Sequence, residues 1–301
     1  MSLEYRKERI TKIASQWGAH KVNDLFIEWE IPKQLFEELK LSIKMYVSKA
    51  MGFGYVADDD EFINLVELNK VNRENITPNG GVVPKQEYSL EYNLFLRSWC
   101  EMVRVMVAKN PGLLKRFRLT PNIRIKFAKE IEENVGRGLD TALPHSDAWV
   151  EGPWGMNCHL PVIGDVNNNY LHFYKLKDES SFEESYLDRA ATYNEMSWVV
   201  DKYEDDNLIP KAGYINVSDY ALIHKTMRRN GCGARISIDT TIFIGEHDVH
   251  PDRRAEYMDC IPFVGQELYI ATSLRSGEVA DKKTHFSHYT TGSLRHINLK
   301  S

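Results

Sequence analysis

The hydrophobic pattern of this 301-residue chain changes its period at about residue 121. Before that point, residues 32–52 and 89–112 carry apolar side chains at spacings of three and four, which predicts amphipathic helices. After it, short segments rich in β-branched and aromatic residues are separated by Gly, Pro and Asn, which predicts strands. These segments are residues 123–127, 156–163, 169–176, 214–223, 234–243 and 267–274.

Helices followed by a run of strands indicate an α+β fold, because strict alternation of the two would be expected for an α/β fold. We expect a single domain over residues 1–301, in which a helical N-terminal part, residues 1–120, packs outside a β core, residues 121–301. The core is predicted to be an antiparallel sandwich or barrel. The irregular stretch 71–87 and the segment 178–210 are candidate covers over a pocket in that core.

Charge and cysteine content exclude several classes of protein. The chain has 38 Lys and Arg against 43 Asp and Glu, so it lacks the basic surplus that a nucleic-acid partner favours. Its four cysteines are far apart and form no C-x-x-C pair, which argues against a structural zinc site and a disulfide framework. The N-terminus is charged throughout and no apolar stretch reaches membrane-spanning length. We therefore expect a cytoplasmic protein that binds neither nucleic acid nor membrane, and the sequence does not predict its oligomeric state.

A metal site is suggested by His145 and Asp147, which stand two residues apart at the end of a predicted strand. Alternation along a strand would turn both side chains to the same side. The pattern by itself has little specificity, because a second His-x-Asp match occurs at His250 and Asp252. The first match gains weight from the residues that follow it in the sequence.

His224 lies near the end of one predicted strand and Arg235 begins the next. The Asn230-Gly231 pair between them predicts a hairpin, which would place His224 opposite residues 235–237. Alternation then puts one set of polar side chains on a single face of the second strand, opposite Ile236, Ile238 and Ile242. The polar set is Arg235, Ser237, Asp239 and Thr241.

Two imidazoles and one carboxylate are the protein ligands of non-heme Fe(II) centres that leave positions open for a chelating cosubstrate and O2. His145, Asp147 and His224 supply that set. A 2-oxo acid chelates such an iron, and its far carboxylate then needs a partner. Arg235 and Ser237 suit this role, because a planar guanidinium binds a carboxylate through two charge-assisted hydrogen bonds and a hydroxyl can add a third.

These residues resemble the pattern of the Fe(II)/2-oxoglutarate-dependent oxygenases, whose core is a double-stranded β-helix of the jelly-roll or cupin-like type. The resemblance is greatest to the phytanoyl-CoA-hydroxylase-like branch and to related enzymes of carbohydrate biosynthesis clusters. It covers about residues 120–245 and is carried by the segment 145–147, by His224 and by the segment 235–237.

The resemblance implies an iron-dependent oxidoreductase that uses 2-oxoglutarate and O2 on a small-molecule substrate and releases succinate and CO2. A carbohydrate or a nucleotide sugar is the candidate substrate, by family analogy alone. Asp147 favours hydroxylation or another oxidation over halogenation, because halogenating relatives carry a small residue at that position.

Two further strands are expected to contribute polar side chains to the cavity. Asn157 and His159 share a face of the strand that follows the metal loop, so we expect both to lie beside the cosubstrate, with a hydrogen-bonded core pair as the alternative. Arg124 and Lys126 share a face of an earlier strand and are candidates for supporting the cosubstrate, with an exposed sheet face as the alternative.

A rival metal set consists of His250, Asp252, His285 and Arg295. Too little chain follows it to build a barrel, so a solvated terminal segment is favoured there. Two alternative functions stay open: a metal-dependent cupin-type isomerase or epimerase, and a non-catalytic carbohydrate-binding β-sandwich. The pairing of Arg235 with Ser237 argues against the first of these. The sequence does not predict which substrate is bound.

Overall fold

The computed structural model describes residues 1–71, 74–118, 120–130 and 138–244, together with five short strands farther along the chain. Those strands are β11 to β15, at Cys260–Pro262, Tyr269–Thr272, Ser276–Glu278, His288–Thr291 and Arg295–Asn298. The residues His250, Asp252 and His285 of the rival metal set lie outside the described residues.

In the described ranges, four longer α-helices occupy the N-terminal part of the chain, and two α-helices of a single turn lie farther on. They are α1 (Leu3–Trp17), α2 (Lys33–Met51), α3 (Asp59–Leu68), α4 (Ser89–Met106), α5 (Ala148–Glu151) and α6 (Ser197–Val200). Side-chain caps define two of the starts, because Ser2 Oγ accepts from the Tyr5 N–H at 3.3 Å and Asp58 Oδ1 accepts from the Glu61 N–H at 2.9 Å.

The strands before residue 245 form two antiparallel sheets. They are β1 (His20–Asn23), β2 (Phe26–Glu30), β3 (Leu114–Arg118), β4 (Asn122–Lys126), β5 (Met156–Gly164), β6 (Asn169–Leu176), β7 (Tyr203–Asp205), β8 (Tyr214–Asp219), β9 (His224–Arg228) and β10 (Arg235–Ile244). In the described chain, the main sheet has the order β1-β2-β8-β5-β10-β3-β11, with β4 also paired to β10. The smaller sheet has the order β7-β6-β9.

The N-terminal part supplies strands as well as helices. β2 pairs with β8 from Phe26↔Ser218 to Glu30↔Tyr214, so the hairpin of β1 and β2 extends the main sheet at one edge. β3 lies toward the opposite edge of the same sheet, where it pairs with β10. The sequence pattern had indicated helix here, because strands of four or five residues are too short to establish a period against the longer helices around them.

The outer face of the main sheet is covered by helices. Ile236, Ile238 and Ile242 on β10 belong to one buried apolar cluster with Ile10 of α1 and Phe95 of α4. Burial of this face leaves the opposite face of the main sheet turned toward the smaller sheet. The two sheets are in contact there, because the rings of Phe26 on β2 and Phe173 on β6 lie 4.9 Å apart in an edge-on arrangement.

The predicted hairpin between His224 and Arg235 is wrong. β9 pairs with β6, with His224 opposite Phe173, whereas β10 pairs with β4 and β5, with Arg235 opposite Lys126 and Gly164. The chain between β9 and β10 therefore crosses from the smaller sheet to the main sheet.

The residues of this connection make a local turn, in which Cys232 N–H donates to Arg229 O at 3.1 Å, and they also bond to the turn between β5 and β6. Arg229 N–H donates to Asn168 O at 2.8 Å, and Asp165 N–H donates to Ala234 O at 2.9 Å. A turn signal such as Asn-Gly reports only a local reversal of direction, so it does not say in which sheet the next strand will pair.

No described helix combines the length and the apolar character that crossing a lipid bilayer requires.

Candidate metal centre

His145 and His224 face each other in an isolated antiparallel bridge. The backbone N–H of each residue donates to the carbonyl of the other, and both hydrogen bonds are 2.9 Å long. The bridge fixes the two backbones side by side, and the imidazole centroids lie 4.4 Å apart. His145 and His224 were grouped in the sequence as two ligands of one metal site, and the structure brings their side chains together.

Asp147 reaches the same place by a different route from the one predicted. After His145 the chain leaves the extended conformation, and Asp147 adopts helical angles (φ −63°, ψ −25°) directly before α5. The expected strand through residues 145–147 is therefore wrong, and a helical turn, not alternation, brings the carboxylate beside the imidazoles.

The three side chains can hold a metal ion. One ligand atom from each of His145, Asp147 and His224 lies within 4.8 Å of the others, and His224 Nε2 lies 3.6 Å from Asp147 Oδ2. The two histidines are buried and the carboxylate is partly exposed. Three protein ligands on one side leave the remaining coordination positions open.

Backbone carbonyls fix the tautomer of both histidines. His145 Nδ1 lies 2.8 Å from Leu143 O, and His224 Nδ1 lies 3.0 Å from Leu222 O. Because a carbonyl oxygen only accepts, Nδ1 carries the proton of each neutral ring and donates it. The lone pair of each imidazole is then on Nε2, the nitrogen that is left to bind a metal.

The electrostatic environment keeps the ligands in their metal-binding forms. Burial, assisted by the neighbouring His224, lowers the pKa of His145 to about 3, so its ring is neutral at physiological pH. Burial alone would raise the pKa of Asp147. The charges of His224 and His145 and a hydrogen bond from Asn157 outweigh that effect and lower the pKa, so the carboxylate is ionised.

Asn157 is a supporting residue of the metal centre. It lies on β5, and its Nδ2 donates to Asp147 Oδ2 at 2.5 Å. The sequence predicts Asn157 in the cavity beside the cosubstrate; the side chain does line the cavity, but its amide bonds to the carboxylate ligand instead.

Tyr193 is a site residue that the sequence analysis did not identify. Its ring stacks on the His145 imidazole at a centroid distance of 4.3 Å and an angle of 19°. It comes from the segment 178–210, which was predicted as a cover over the pocket. An aromatic residue in an irregular segment has no periodic signal, so only the folded chain shows which residue it packs against.

The metal centre opens into a cavity of about 250 Å³ between the two sheets. The smaller sheet contributes Phe173, His224 and neighbouring residues to its lining. β10 contributes the polar set Arg235, Ser237, Asp239 and Thr241, as its alternation predicted. The isoleucines between them belong to the helix-covered core.

Arg235 is a buried cation, and part of its guanidinium has no hydrogen-bond partner among the described residues. Its side chain is 2% exposed, and within the described chain neither Nε nor Nη1 has a partner. Burial, followed by the charge of Arg228, lowers its pKa to about 9. A buried guanidinium that lacks partners destabilises the folded protein unless an anion pairs with it.

The surroundings of Arg235 suit such an anion. Ser237 is also 2% exposed and lies two residues along the same face of β10. Lys126 on β4 is directly opposite Arg235, and its Nζ donates to Thr141 Oγ1 at 3.0 Å. Burial and the charges of Arg124, Arg228 and Arg235 lower the pKa of Lys126 to about 7.

Arg124 lines the cavity but is already paired. Its Nε donates to Asp239 Oδ2, and Nη1 donates to Asn79 O at 3.5 Å. Asn79 belongs to the stretch 71–87, and the residues around Gly80 lie along β4, because Ile125 N–H donates to Gly80 O at 2.8 Å. Both predicted cover segments thus contribute a residue to the cavity lining, Asn79 from one and Tyr193 from the other.

The inner face of β5 also carries His159, which is 6% exposed and lines the cavity. Pairing of β5 with β10 and β8 places it between Asp239 and Asn216. Asn216 is a second residue that the sequence analysis missed, since one asparagine in a predicted strand does not reveal which face it occupies.

No family model matches the chain, and no curated protein matches it in sequence. Among solved structures, it is similar to the non-heme alpha ketoglutarate dependent epimerase SnoN from nogalamycin biosynthesis, with 10% identity, a TM-score of 0.42 and coverage of 79% of this chain and 83% of that one. SnoN in complex with Fe3+, alpha ketoglutarate and nogalamycin RO matches with 10% identity, a TM-score of 0.40 and coverages of 79% and 84%.

A novel N-substituted L-amino acid dioxygenase from Burkholderia ambifaria AMMD is 12% identical, with a TM-score of 0.40 and coverage of 79% of this chain and 89% of that one. Likeness at this level does not identify a function, so we infer the function from the side chains of the site.

Proposed function

We propose that this chain is a non-heme Fe(II)- and 2-oxoglutarate-dependent oxygenase that hydroxylates a small-molecule substrate. The observation that carries the proposal is the presence, in one cavity, of a three-ligand metal site and a buried guanidinium that lacks a full set of partners among the residues the structure describes. The first group needs a cation and the second needs an anion. A metal-chelating dicarboxylate satisfies both at once.

The donor set fits Fe(II). His145, Asp147 and His224 would be its ligands, because two neutral imidazoles and one carboxylate are the set used by oxygenases with open coordination positions. A structural zinc site would instead have four protein ligands and be closed. The carbonyls of Leu143 and Leu222 would hold the two rings in the orientation that presents Nε2.

The basic end of the cavity fits the far carboxylate of 2-oxoglutarate. Arg235 would bind it through charge-assisted hydrogen bonds and Ser237 would add a hydroxyl donor. Lys126, opposite Arg235, would add a third donor and positive charge. We assign Asn157 to the orientation of Asp147 rather than to the cosubstrate, because its amide already donates to that carboxylate.

The bound iron and cosubstrate would supply the oxidising chemistry, in which 2-oxoglutarate, O2 and a substrate C–H bond give succinate, CO2 and the hydroxylated product. The protein holds the three ligands, clamps the cosubstrate and keeps water out. Tyr193 covers one face of His145, and the edge-on pair of Phe26 and Phe173 gives the cavity an apolar wall.

We also propose that the β core is a double-stranded β-helix. Two features support this: the two antiparallel sheets face each other across the cavity, and the β9 to β10 connection crosses between them. The phytanoyl-CoA-hydroxylase-like branch and a carbohydrate or nucleotide sugar as substrate remain proposals from family resemblance.

Anaerobic titration of the protein with Fe(II) and then 2-oxoglutarate tests the function. We expect a weak visible charge-transfer band that saturates at one equivalent of each, and succinate release once O2 and a substrate are added. A metal-dependent isomerase or epimerase would bind the metal without developing the band. A non-catalytic carbohydrate-binding module would do neither, and either result would refute the proposal.

A further inference from the structure

A row of hydrogen-bond acceptors without donors crosses the inner face of the main sheet. His159 Nε2, Asn216 Oδ1 and Asp239 Oδ1 are buried, and among the described residues none of the three atoms has a hydrogen-bond partner. The three residues lie on the neighbouring strands β8, β5 and β10, with His159 opposite both of the others. All three residues line the cavity and lie side by side on one wall of it.

The amide of Asn216 is fixed with its oxygen unpartnered. Its Nδ2 donates to His159 O at 3.1 Å and to Tyr214 O at 3.2 Å. Turning the amide over would place its oxygen against two carbonyl oxygens, so the orientation follows from the backbone around it.

The ring of His159 is likewise fixed as an acceptor. Burial, assisted by the charge of Arg235, lowers its pKa well below the ordinary value, so the ring is neutral. A hydrogen bond between the ring and the backbone of Ile238 acts in the opposite direction and raises the pKa, but burial outweighs it. Because Nε2 is the nitrogen without a partner, it carries the lone pair.

Three acceptors in a row suit a ligand that donates hydrogen bonds. 2-Oxoglutarate is unsuitable at this position, because its carboxylates and its keto group only accept. An ammonium group is disfavoured as well, because the negative charge of Asp239 is already balanced by its ion pair with Arg124. A neutral hydroxyl group can donate a hydrogen bond and carries no positive charge.

We infer that His159, Asn216 and Asp239 form a subsite that binds hydroxyl groups of the substrate, so that the substrate is a neutral polyhydroxylated small molecule. This inference rests on the proposed function for the identity of the cavity as an active site. It reassigns His159 from the cosubstrate, where the sequence analysis expected it, to the substrate.

Binding measurements on one carbon skeleton test the charge preference. D-glucose, D-glucosamine and D-gluconate present a neutral, a cationic and an anionic version of similar hydroxylated molecules, and myo-inositol adds a second neutral polyol. Titration calorimetry under nitrogen, with Fe(II) and 2-oxoglutarate present, should give affinities for a neutral polyol at least tenfold higher than those for the two charged compounds. Failure of both neutral polyols to bind, or preference for a charged one, overturns the inference.

His159→Leu tests the residue assignment. We expect polyol affinity to fall about fivefold or more, since one neutral hydrogen bond is lost, while 2-oxoglutarate affinity stays within twofold. The melting temperature of the ligand-free protein should not fall, because an unpartnered buried acceptor is replaced by an apolar group. His172→Leu is the matched control: His172 is also buried, but its Nε2 bonds to Asp205 outside the cavity lining, so polyol affinity should not change.

Two outcomes of the His159→Leu experiment overturn the inference. One is a larger loss of 2-oxoglutarate affinity than of polyol affinity, which would make His159 a cosubstrate ligand. The other is a lower melting temperature with unchanged polyol affinity, which would make it a structural histidine. If the protein binds polyols through His159 but gives no Fe(II) and 2-oxoglutarate chelate, the proposed function fails and the hydroxyl subsite stands.

Discussion

Arg6 Nε donates to Asp219 Oδ1 at 2.8 Å, and the two side chains are 1% and 0% exposed. The same carboxylate oxygen accepts from the Ala221 N–H at 2.9 Å, and the Asp219 carbonyl accepts from the Leu222 N–H at 3.1 Å. Leu222 O in turn holds the imidazole of His224. A residue of the N-terminal helix is thus connected through hydrogen bonds to a proposed iron ligand.

Replacing Arg6 should destabilise the protein strongly. Arg6→Met leaves the buried Asp219 carboxylate without its cation, which costs about 3–5 kcal/mol. Urea denaturation of the metal-free protein measures this loss. The double variant Arg6→Met with Asp219→Leu should recover much of the stability, because no buried charge remains. Lys7→Ala is the control: its ion pair with Glu179 is at the surface, so the change should stay within about 1 kcal/mol.

Asn157→Leu should weaken metal binding without removing a ligand. Loss of a hydrogen bond that orients a metal-binding carboxylate typically reduces metal affinity by about 10- to 100-fold. Anaerobic titration with Fe(II) checks the prediction, and Asp147→Ala should abolish binding in the same assay. An unchanged affinity in Asn157→Leu would show that Asp147 needs no support from β5.

Arg235→Gln should separate the two parts of the site. It removes a charged donor from the proposed carboxylate clamp, so 2-oxoglutarate affinity should fall by about 100-fold, from roughly 1.5–3 kcal/mol for each charged hydrogen bond. Iron affinity should remain within threefold. Arg229→Gln, in the connection before β10, is the control and should change neither affinity. Equal losses of iron and cosubstrate affinity in Arg235→Gln would contradict the assigned role.

Lys126 should make the stability of the ligand-free protein increase with pH. Its pKa is lowered by burial to about 7 in the folded chain, against an ordinary value of 10.5. Between these values the unfolded chain binds the proton and the folded chain does not, so the free energy of unfolding rises with pH by up to about 1.4 kcal/mol per pH unit. Below about pH 7 both states hold the proton, so the pH dependence disappears there and the cost of the buried charge is at its largest.

Comparison with Lys126→Met isolates this effect from other titrating groups. The difference in free energy of unfolding between the variant and the parent, measured by urea denaturation, should shrink as the pH rises from 7 to 10. A difference that does not depend on pH over that range would show that Lys126 keeps its proton in the fold.

Local patterns in the sequence predicted those features that depend on neighbouring residues in the chain. Alternation along β10 was sufficient to place Arg235 and Ser237 on the cavity face, because the side-chain period of a strand is two whatever its partners are. The same rule applied to residues 145–147 gave the right grouping for the wrong reason, since that segment turns into α5.

Features that depend on the pairing of distant segments were not predictable. β9 pairs with β6 in the smaller sheet, and no turn signal in the sequence indicates that pairing. Tyr193, Asn216 and Arg6 reach their positions through contacts with residues far away in the sequence, and no local pattern identifies those contacts. Each becomes visible only when burial and hydrogen-bond partners are known.

The backbone bridge between His145 and His224 has a consequence for the order of assembly. It joins segments that are remote along the chain. Such contacts form late in folding, because the entropic cost of closing the long loop must be met before the contact contributes favourable free energy. An unfolded chain therefore offers iron only isolated, weak ligands. Iron should be captured after the two sheets have come together, and the rate of its uptake during refolding should report the last step of folding.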